Sequence, residues 1–183
     1  MNNPSERLLS SLDQLLNHPV DLVLFGRTAL YFAFEAMREE YARTMDVDII
    51  LSSGQAEQLL SSSNFWDALE ALNQKYADEG YYITHLFDES QIILRPDWMK
   101  HRVRIPGPWQ TLFLYRPANE DLLLTKLMRY DPVDLQDART ICVCSGWSNH
   151  EIDAILASAR VPEIPEILEQ HDLCKRALLK ISS

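Results

Sequence analysis

The chain reads as an α/β protein: a mixed, twisted sheet of about five or six strands flanked by helices, with a helical C-terminal portion. Three observations predict this. Short apolar or alternating runs recur up to residue 116, separated by segments with helical spacing. Turn-forming residues fall where the period changes, at Gly26, Gly54, Gly80 and Pro106-Gly107-Pro108. From Pro117 onward the pattern turns helical. The expected organisation is an α/β core over residues 1–116 with a helical subdomain, 117–183, packed on it.

Taken in order, residues 5–16 place Leu8, Leu12, Leu15 and Leu16 on one face of a short amphipathic helix. Asp21–Phe25 is an apolar run closed by Gly26, which predicts a buried strand meeting a tight turn. From Thr28 the period changes. Leu30, Ala33, Phe34, Met37 and Tyr41 recur at helical spacing, Glu35, Arg38, Glu39 and Arg43 lie outward, and the Thr28 hydroxyl is placed to cap the helix. Asp46–Leu51 alternates as a second strand. Ser52-Ser53-Gly54 opens a helix to about Leu60. Asn64 caps another, with Phe65, Leu69, Leu72 and Tyr76 inward, that Gly80 stops.

Tyr81–Phe87 is aromatic and β-branched enough for a strand, with Gln91–Leu94 as its hairpin partner. Val103–Ile105 and Thr111–Tyr115 flank the Pro-Gly-Pro turn. Asn119 caps a helix running to about Tyr130. Asp131-Pro132 opens the next, with Asp as cap and Pro in its first turn. Ser148-Asn149-His150-Glu151 is a capping box, and Pro162 and Pro165 precede a last helix carrying Ile164, Ile167, Leu168, His171 and Leu178.

Composition narrows the function classes. No apolar run approaches the ~20 residues that cross a bilayer. The N-terminus lacks a basic stretch followed by an apolar one, and Cys142, Cys144 and Cys174 form no C-x-x-C, so a cytoplasmic setting with reduced thiols is expected. The net charge of −10 disfavours extended duplex DNA, whose phosphates demand a basic footprint. One local exception is Arg95, Lys100, His101, Arg102 and Arg104, accompanied only by Asp97. Two readings stand there: a contact for a triphosphate or an RNA end, or the charged guard of an edge strand.

Residues two apart on a strand share a face, so Asp46 and Asp48 project side by side, ~7 Å apart at Cα, while Val47 and Ile49 point into the core. Two neighbouring carboxylates repel, and a divalent cation removes that penalty. Mg²⁺ is typically held by one or two carboxylates together with a substrate's phosphates. Gly26, at a turn into a helix, offers backbone amides and a favourable dipole to an anion. An exposed edge strand with alternating acids is the plain alternative.

On Gly26-Arg27 before a helix, Asp46-Val47-Asp48 on the next strand, and Lys126 followed by Asp134 and Asp137, the chain resembles the nucleotidyltransferase superfold of polymerase-beta-like proteins. Within it, the similarity is to the AbiEii-type toxins and a related uncharacterised bacterial branch, over roughly residues 20 to 145. The resemblance implies Mg²⁺- or Mn²⁺-dependent transfer of a nucleoside monophosphate from an NTP to a hydroxyl of RNA or protein. It places Asp46, Asp48, Lys126, Asp134 and Asp137 in the catalytic set. Gly26, Arg27, Thr28 and Lys126 would surround the triphosphate, and Asp46, Asp48 and His85 the metal. A tRNA or protein acceptor and a partner protein encoded nearby, as in toxin–antitoxin pairs, belong to the same expectation. Two departures favour an alternative, a scaffold that binds without turnover. Arg27 stands where a second small residue is usual, and the strand Tyr82–Phe87 carries no acid, leaving His85 at the matching position and Asp88 at its end. Trp98, Trp109 and Tyr130 are read either as base-stacking groups or as core.

Overall fold

A computed structural model of the chain describes residues 3–35, 38–42, 44 and 46–179; the side chains of Ser53, Leu60, Thr84 and His85 lie outside that description. Met37 and Arg43, expected on opposite sides of the first long helix, are outside it too. The chain forms two compact units, Met1–Asp88 with Arg102–Arg116, and Glu89–His101 with Pro117–Ser183. Among the described residues no helix is long and apolar enough to cross a membrane.

The first unit is built on five strands: β1 (Val20–Phe25), β2 (Asp46–Leu51), β3 (Tyr82–Asp88), β4 (Val103–Arg104) and β5 (Leu112–Arg116). Their order is β3-β2-β1-β5-β4. The sheet is mixed, as expected: β1 runs parallel to β5 and β2 to β3, whereas β1/β2 and β4/β5 are antiparallel. Strand alternation sorts its side chains. Leu22, Leu24, Val47, Ile49, Leu112 and Leu114 form one face, each with no exposed surface. The opposite face carries Asp21, Asp46, Asp48, Phe113, Tyr115 and Arg104 around the buried Val23 and Ile50.

Five helices serve this sheet. In α1 (Pro4–Leu15), Leu8, Leu9 and Leu12 are buried, and Asn3 caps its N-terminus through Ser5 N–H. Ser11 Oγ meets Tyr76 Oη at 2.8 Å, tying α1 to α5 (Ser63–Tyr76), and the two helices pack on β5 and β3 respectively. The α5 cap is Ser62, two residues before the expected Asn64, whose side chain accepts instead from Asn17 N–H. Between β2 and α5 lies α4 (Ser53–Leu60), opened by a Ser52–Gln55 capping box.

The helix expected from residue 28 to 41 is two pieces, α2 (Gly26–Ala33) and α3 (Arg38–Tyr41), parted by Phe34 in an extended conformation. Phe34 and Tyr41 are both buried despite the break. Apolar spacing reports which residues go inside, and a segmented helix satisfies it as well as a continuous one.

The second unit holds α6 (Asn119–Thr125), α7 (Pro132–Ser145), α8 (Asn149–Ala157) and α9 (Pro165–Leu179). The α7 and α8 caps are as read: Asp131 accepts from Val133 and Asp134 N–H, and Ser148 with Glu151 closes a capping box. The α6 helix stops five residues before Tyr130 and has Ala118 at its cap. No hairpin partner follows β3. Glu89–Gln91 is a 3₁₀ turn, and Leu94 bridges Arg160 instead, with Arg160 N–H donating to Leu94 O at 2.8 Å. Ile92, Ile93 and Leu94 are buried consecutively, whereas a half-exposed hairpin strand buries alternate residues.

Trp98 is core, with Nε1–H donating to Glu89 at 2.7 Å. Arg95 is committed to the wholly buried Asp121, which accepts from its backbone and from Nε and Nη2. Cys144 is exposed, while burial pushes the Cys142 thiol up to about 11.

His171 on α9 is buried, and among the described residues its Nδ1 has no hydrogen-bond partner. Desolvation holds its pKa below the ordinary histidine value, Asp172 pulling the other way and Lys175 adding to the decrease. Below about pH 6.5 the unfolded chain takes up a proton that the folded chain refuses. Stability is therefore full above that pH and falls as pH drops through the folded pKa. Urea unfolding from pH 7.5 to pH 5 should show this loss, and His171→Leu should flatten it; an unchanged slope would assign the acid sensitivity elsewhere.

Candidate active site

At position 26 the chain leaves β1 and starts α2 with φ +64°, a left-handed conformation costing an ordinary residue roughly 1–2 kcal/mol. A second constraint acts there. A Cβ at this position would lie 2.7 Å from Asp48 Oδ2, so the carboxylate rests against the bare glycine. Register brings them together, because antiparallel pairing sets Asp48 opposite Phe25. The parallel β1/β5 pair and the antiparallel β2 put the end of β1, the start of β2 and the end of β5 at one end of the sheet. In open α/β sheets such an end, outside the carboxyl ends of strands, is where ligands bind.

Asp46 is exposed, Asp48 half-buried and Val47 between them fully buried, the alternation that D-V-D predicts. The backbone of Asp46 is fixed from outside the strand. Thr28, buried in the first turn of α2, donates its hydroxyl to Asp46 O at 3.0 Å, and Ser5 Oγ lies 3.4 Å from the same hydroxyl. Thr28 is thus no cap, since α2 begins two residues earlier, and it braces the acidic strand instead. Ser5 had no sequence signal, because only folding brings α1 to this place.

Arg27 is half-buried beside the Tyr41 ring, with Cζ 5.8 Å from the ring centroid. On the other side of β2 the pairing with β3 shifts: Val47 faces Ile83, whereas Asp48 faces His85, so β3 carries one extra residue next to the acidic pair. Bulges of this kind concentrate beside functional sites. The His85 side chain, named above as a metal ligand, lies outside the described residues. Among those described, no group of three or more His, Cys, Asp or Glu could hold a metal ion. Asp46 and Asp48 put two hard carboxylates on one face of β2 at this end of the sheet. The positive end of the α2 dipole beside Asp48 offsets part of the repulsion between the two acids.

Lys126, Asp134 and Asp137 are brought to one another within the second unit. Lys126 Nζ lies 3.0 Å from Asp134 Oδ1 and 2.8 Å from Asp137 Oδ2, and Arg129 Nη2 reaches Asp134 Oδ2 at 2.7 Å. All three members of the expected set are buried, so this cluster clasps α6 to α7. Tyr130, a stacking candidate, is half-exposed, while Trp109 packs against Gly107 and edge-on to Phe32.

Two measurements test these placements. Gly26→Ala should cost more in the native background than in Asp48→Ala, where only the φ penalty remains, with a coupling of about 0.5–3 kcal/mol by urea unfolding. Equal costs in both backgrounds would show that Asp48 does not rest on the glycine. Lys126→Met should lower stability by about 3–5 kcal/mol with no ligand present, because it removes the buried cation that Asp134 and Asp137 share; a neutral effect would remove the clasp.

Comparison with known proteins joins these observations. The chain is similar to NAP1-related protein 1 of Arabidopsis thaliana, 30% identical over 121 residues, which are 62% of this chain and 43% of that protein. The chain thus spans less than half the length of that curated relative. No solved structure matches it. A family described as a nucleotidyltransferase of unknown function (DUF6036) matches residues 6–174, which takes in Gly26, Asp46 and Asp48 as well as Lys126, Asp134 and Asp137. This chain belongs to that nucleotidyltransferase family.

Proposed function

We propose that the chain transfers a nucleoside monophosphate from an NTP to an acceptor hydroxyl, with Asp46 and Asp48 as the metal-binding carboxylates. The observation that carries this reading is the Asp48 carboxylate held against Gly26 at the entrance to α2, with Asp46 exposed beside it on the same strand face. Bound there, Mg²⁺ or Mn²⁺ supplies positive charge to the triphosphate. The remaining work is positioning, since phosphoryl-type transfer asks little covalent chemistry of the protein. The N-terminus of α2, which opens at Gly26, offers a phosphate its backbone amides and the positive end of the helix dipole. Arg27, anchored near Tyr41, lies one residue along and brings a guanidinium to the same turn. The acceptor oxygen attacks the α-phosphorus, the bond to the bridging oxygen breaks, the acceptor loses its proton and pyrophosphate departs.

A second reading has its own observation. Lys126, placed by resemblance on the triphosphate, is occupied by Asp134 and Asp137, which supports a scaffold that binds nucleotide without turnover. The first reading extends to a cytoplasmic, toxin-like activity on tRNA with a partner protein encoded nearby.

The test is incubation with α-labelled NTPs, Mg²⁺ or Mn²⁺ and total RNA or protein, beside Asp46→Asn/Asp48→Asn. Label transfer lost by at least a hundredfold in the variant supports the enzyme. Thermal stabilisation by NTP and metal without transfer, again lost in the variant, supports the binding scaffold. Neither response in the native chain would overturn both readings.

A further inference from the structure

We infer that the β4–β5 edge is a stacking platform for single-stranded nucleic acid, built from Arg104 and Arg102 interleaved with Phe113 and Tyr115. The register produces it. Arg104 pairs with Tyr115 across β4/β5, and Phe113 lies two residues along the same face, so the guanidinium falls between two rings. Its Cζ sits 4.7 Å from the Phe113 centroid and 5.1 Å from that of Tyr115. Arg102 Cζ sits 4.0 Å from the centroid of the same Tyr115 ring, steadied by Asp21 at 3.3 Å.

Arg104 differs from Arg95 and Arg129. Arg95 is locked to Asp121 and Arg129 to Asp134. Arg104 is exposed, and no carboxylate among the described residues pairs with it, in a chain with ten more acidic than basic groups. A guanidinium held over aromatic rings keeps its in-plane N–H fork free for phosphate and its outer face free for a base. Half-exposed Phe113 and Tyr115 support these guanidiniums at the same spot. Alternating planes and positive charge are what a single strand needs, since unpaired bases stack and the backbone is anionic. A duplex hides its base faces, and an acidic peptide offers nothing to stack. Charge and shape therefore select one occupant.

The location extends the proposed transfer. Register across β2, β1, β5 and β4 puts Asp48, Phe25, Val23, Tyr115 and Arg104 on one face of the sheet. Three inter-strand spacings and a two-residue offset separate Asp48 from Arg104 by on the order of 15 Å. On the reading above, a strand lying on the platform would point its end at the acidic pair and supply the acceptor hydroxyl. The platform itself stands without that step.

The experiment is fluorescence anisotropy with labelled 12-nucleotide single strands, RNA and DNA, against the whole chain between 50 and 200 mM salt. Binding should weaken steeply with salt and be displaced poorly by duplex. Arg104→Gln should lose at least about tenfold in affinity, the scale of one stacked base. Arg104→Lys should keep the salt dependence and still lose affinity, and Phe113→Leu/Tyr115→Leu should reproduce that loss; melting curves confirm that each variant folds. Asp46→Asn/Asp48→Asn should abolish transfer yet bind the strand, so failed catalysis and failed binding are separable. No strand binding by the native chain, equal binding by Arg104→Gln, or equal affinity for a poly-glutamate peptide would overturn the platform and leave Arg104 a guard of the sheet edge.

Discussion

The Asp48 carboxylate occupies the space that any side chain at position 26 would need, and the candidate site depends on that single contact. It demands two things of residue 26 at once, a left-handed φ and no Cβ, and glycine alone meets both. The consequence runs in both directions along the chain. The turn can enter α2 directly from β1, and β2 can bring an acid flush against the start of that helix. Thr28 then secures the neighbouring strand residue, Asp46, through its carbonyl, with Ser5 Oγ against the Thr28 hydroxyl. Such a site is preorganised at little entropic cost.

Charge is handled in two contrasting ways. Asp121, Asp134 and Asp137 are buried, and each has a cation against it, as desolvation requires. Asp46 is exposed, and Asp48 half-buried at the same sheet end. Buried acids with partners hold helices together. Asp46 and Asp48 lie at a sheet end beside a glycine turn instead. The same division applies to arginines: Arg95 and Arg129 serve the interior of the second unit, while Arg104 lies over two rings at an edge. In a chain of net charge −10 this separates structural from accessible charge more clearly than composition can.

Membership of a nucleotidyltransferase family gives the acidic pair its chemical setting, and the sheet gives it neighbours. One face, lined by Leu22, Leu24, Val47, Ile49, Leu112 and Leu114, is wholly apolar and buried; the other gathers the acids, the glycine contact and the guanidinium–aromatic edge. A sheet with one dry face can afford a polar second face, and that second face carries Asp46, Asp48 and Arg104.

Local sequence determined much of this protein. The period-two alternation of D-V-D-I-I-L placed two acids on one side of a strand, glycine after an apolar run marked the turn, and Asp131-Pro132 and Ser148–Glu151 announced their helices, because each signal is complete within a few residues. Tertiary structure decided what depends on distant partners. It broke the helix at Phe34, turned Thr28 from a cap into a brace, and sent Leu94 to Arg160 in place of a hairpin. It also divided the basic run between a buried ion pair at Arg95 and an exposed stack at Arg104. Local chemistry fixes which face a side chain takes. What meets it there depends on strand register and burial, and those are set only when segments remote in the chain come together.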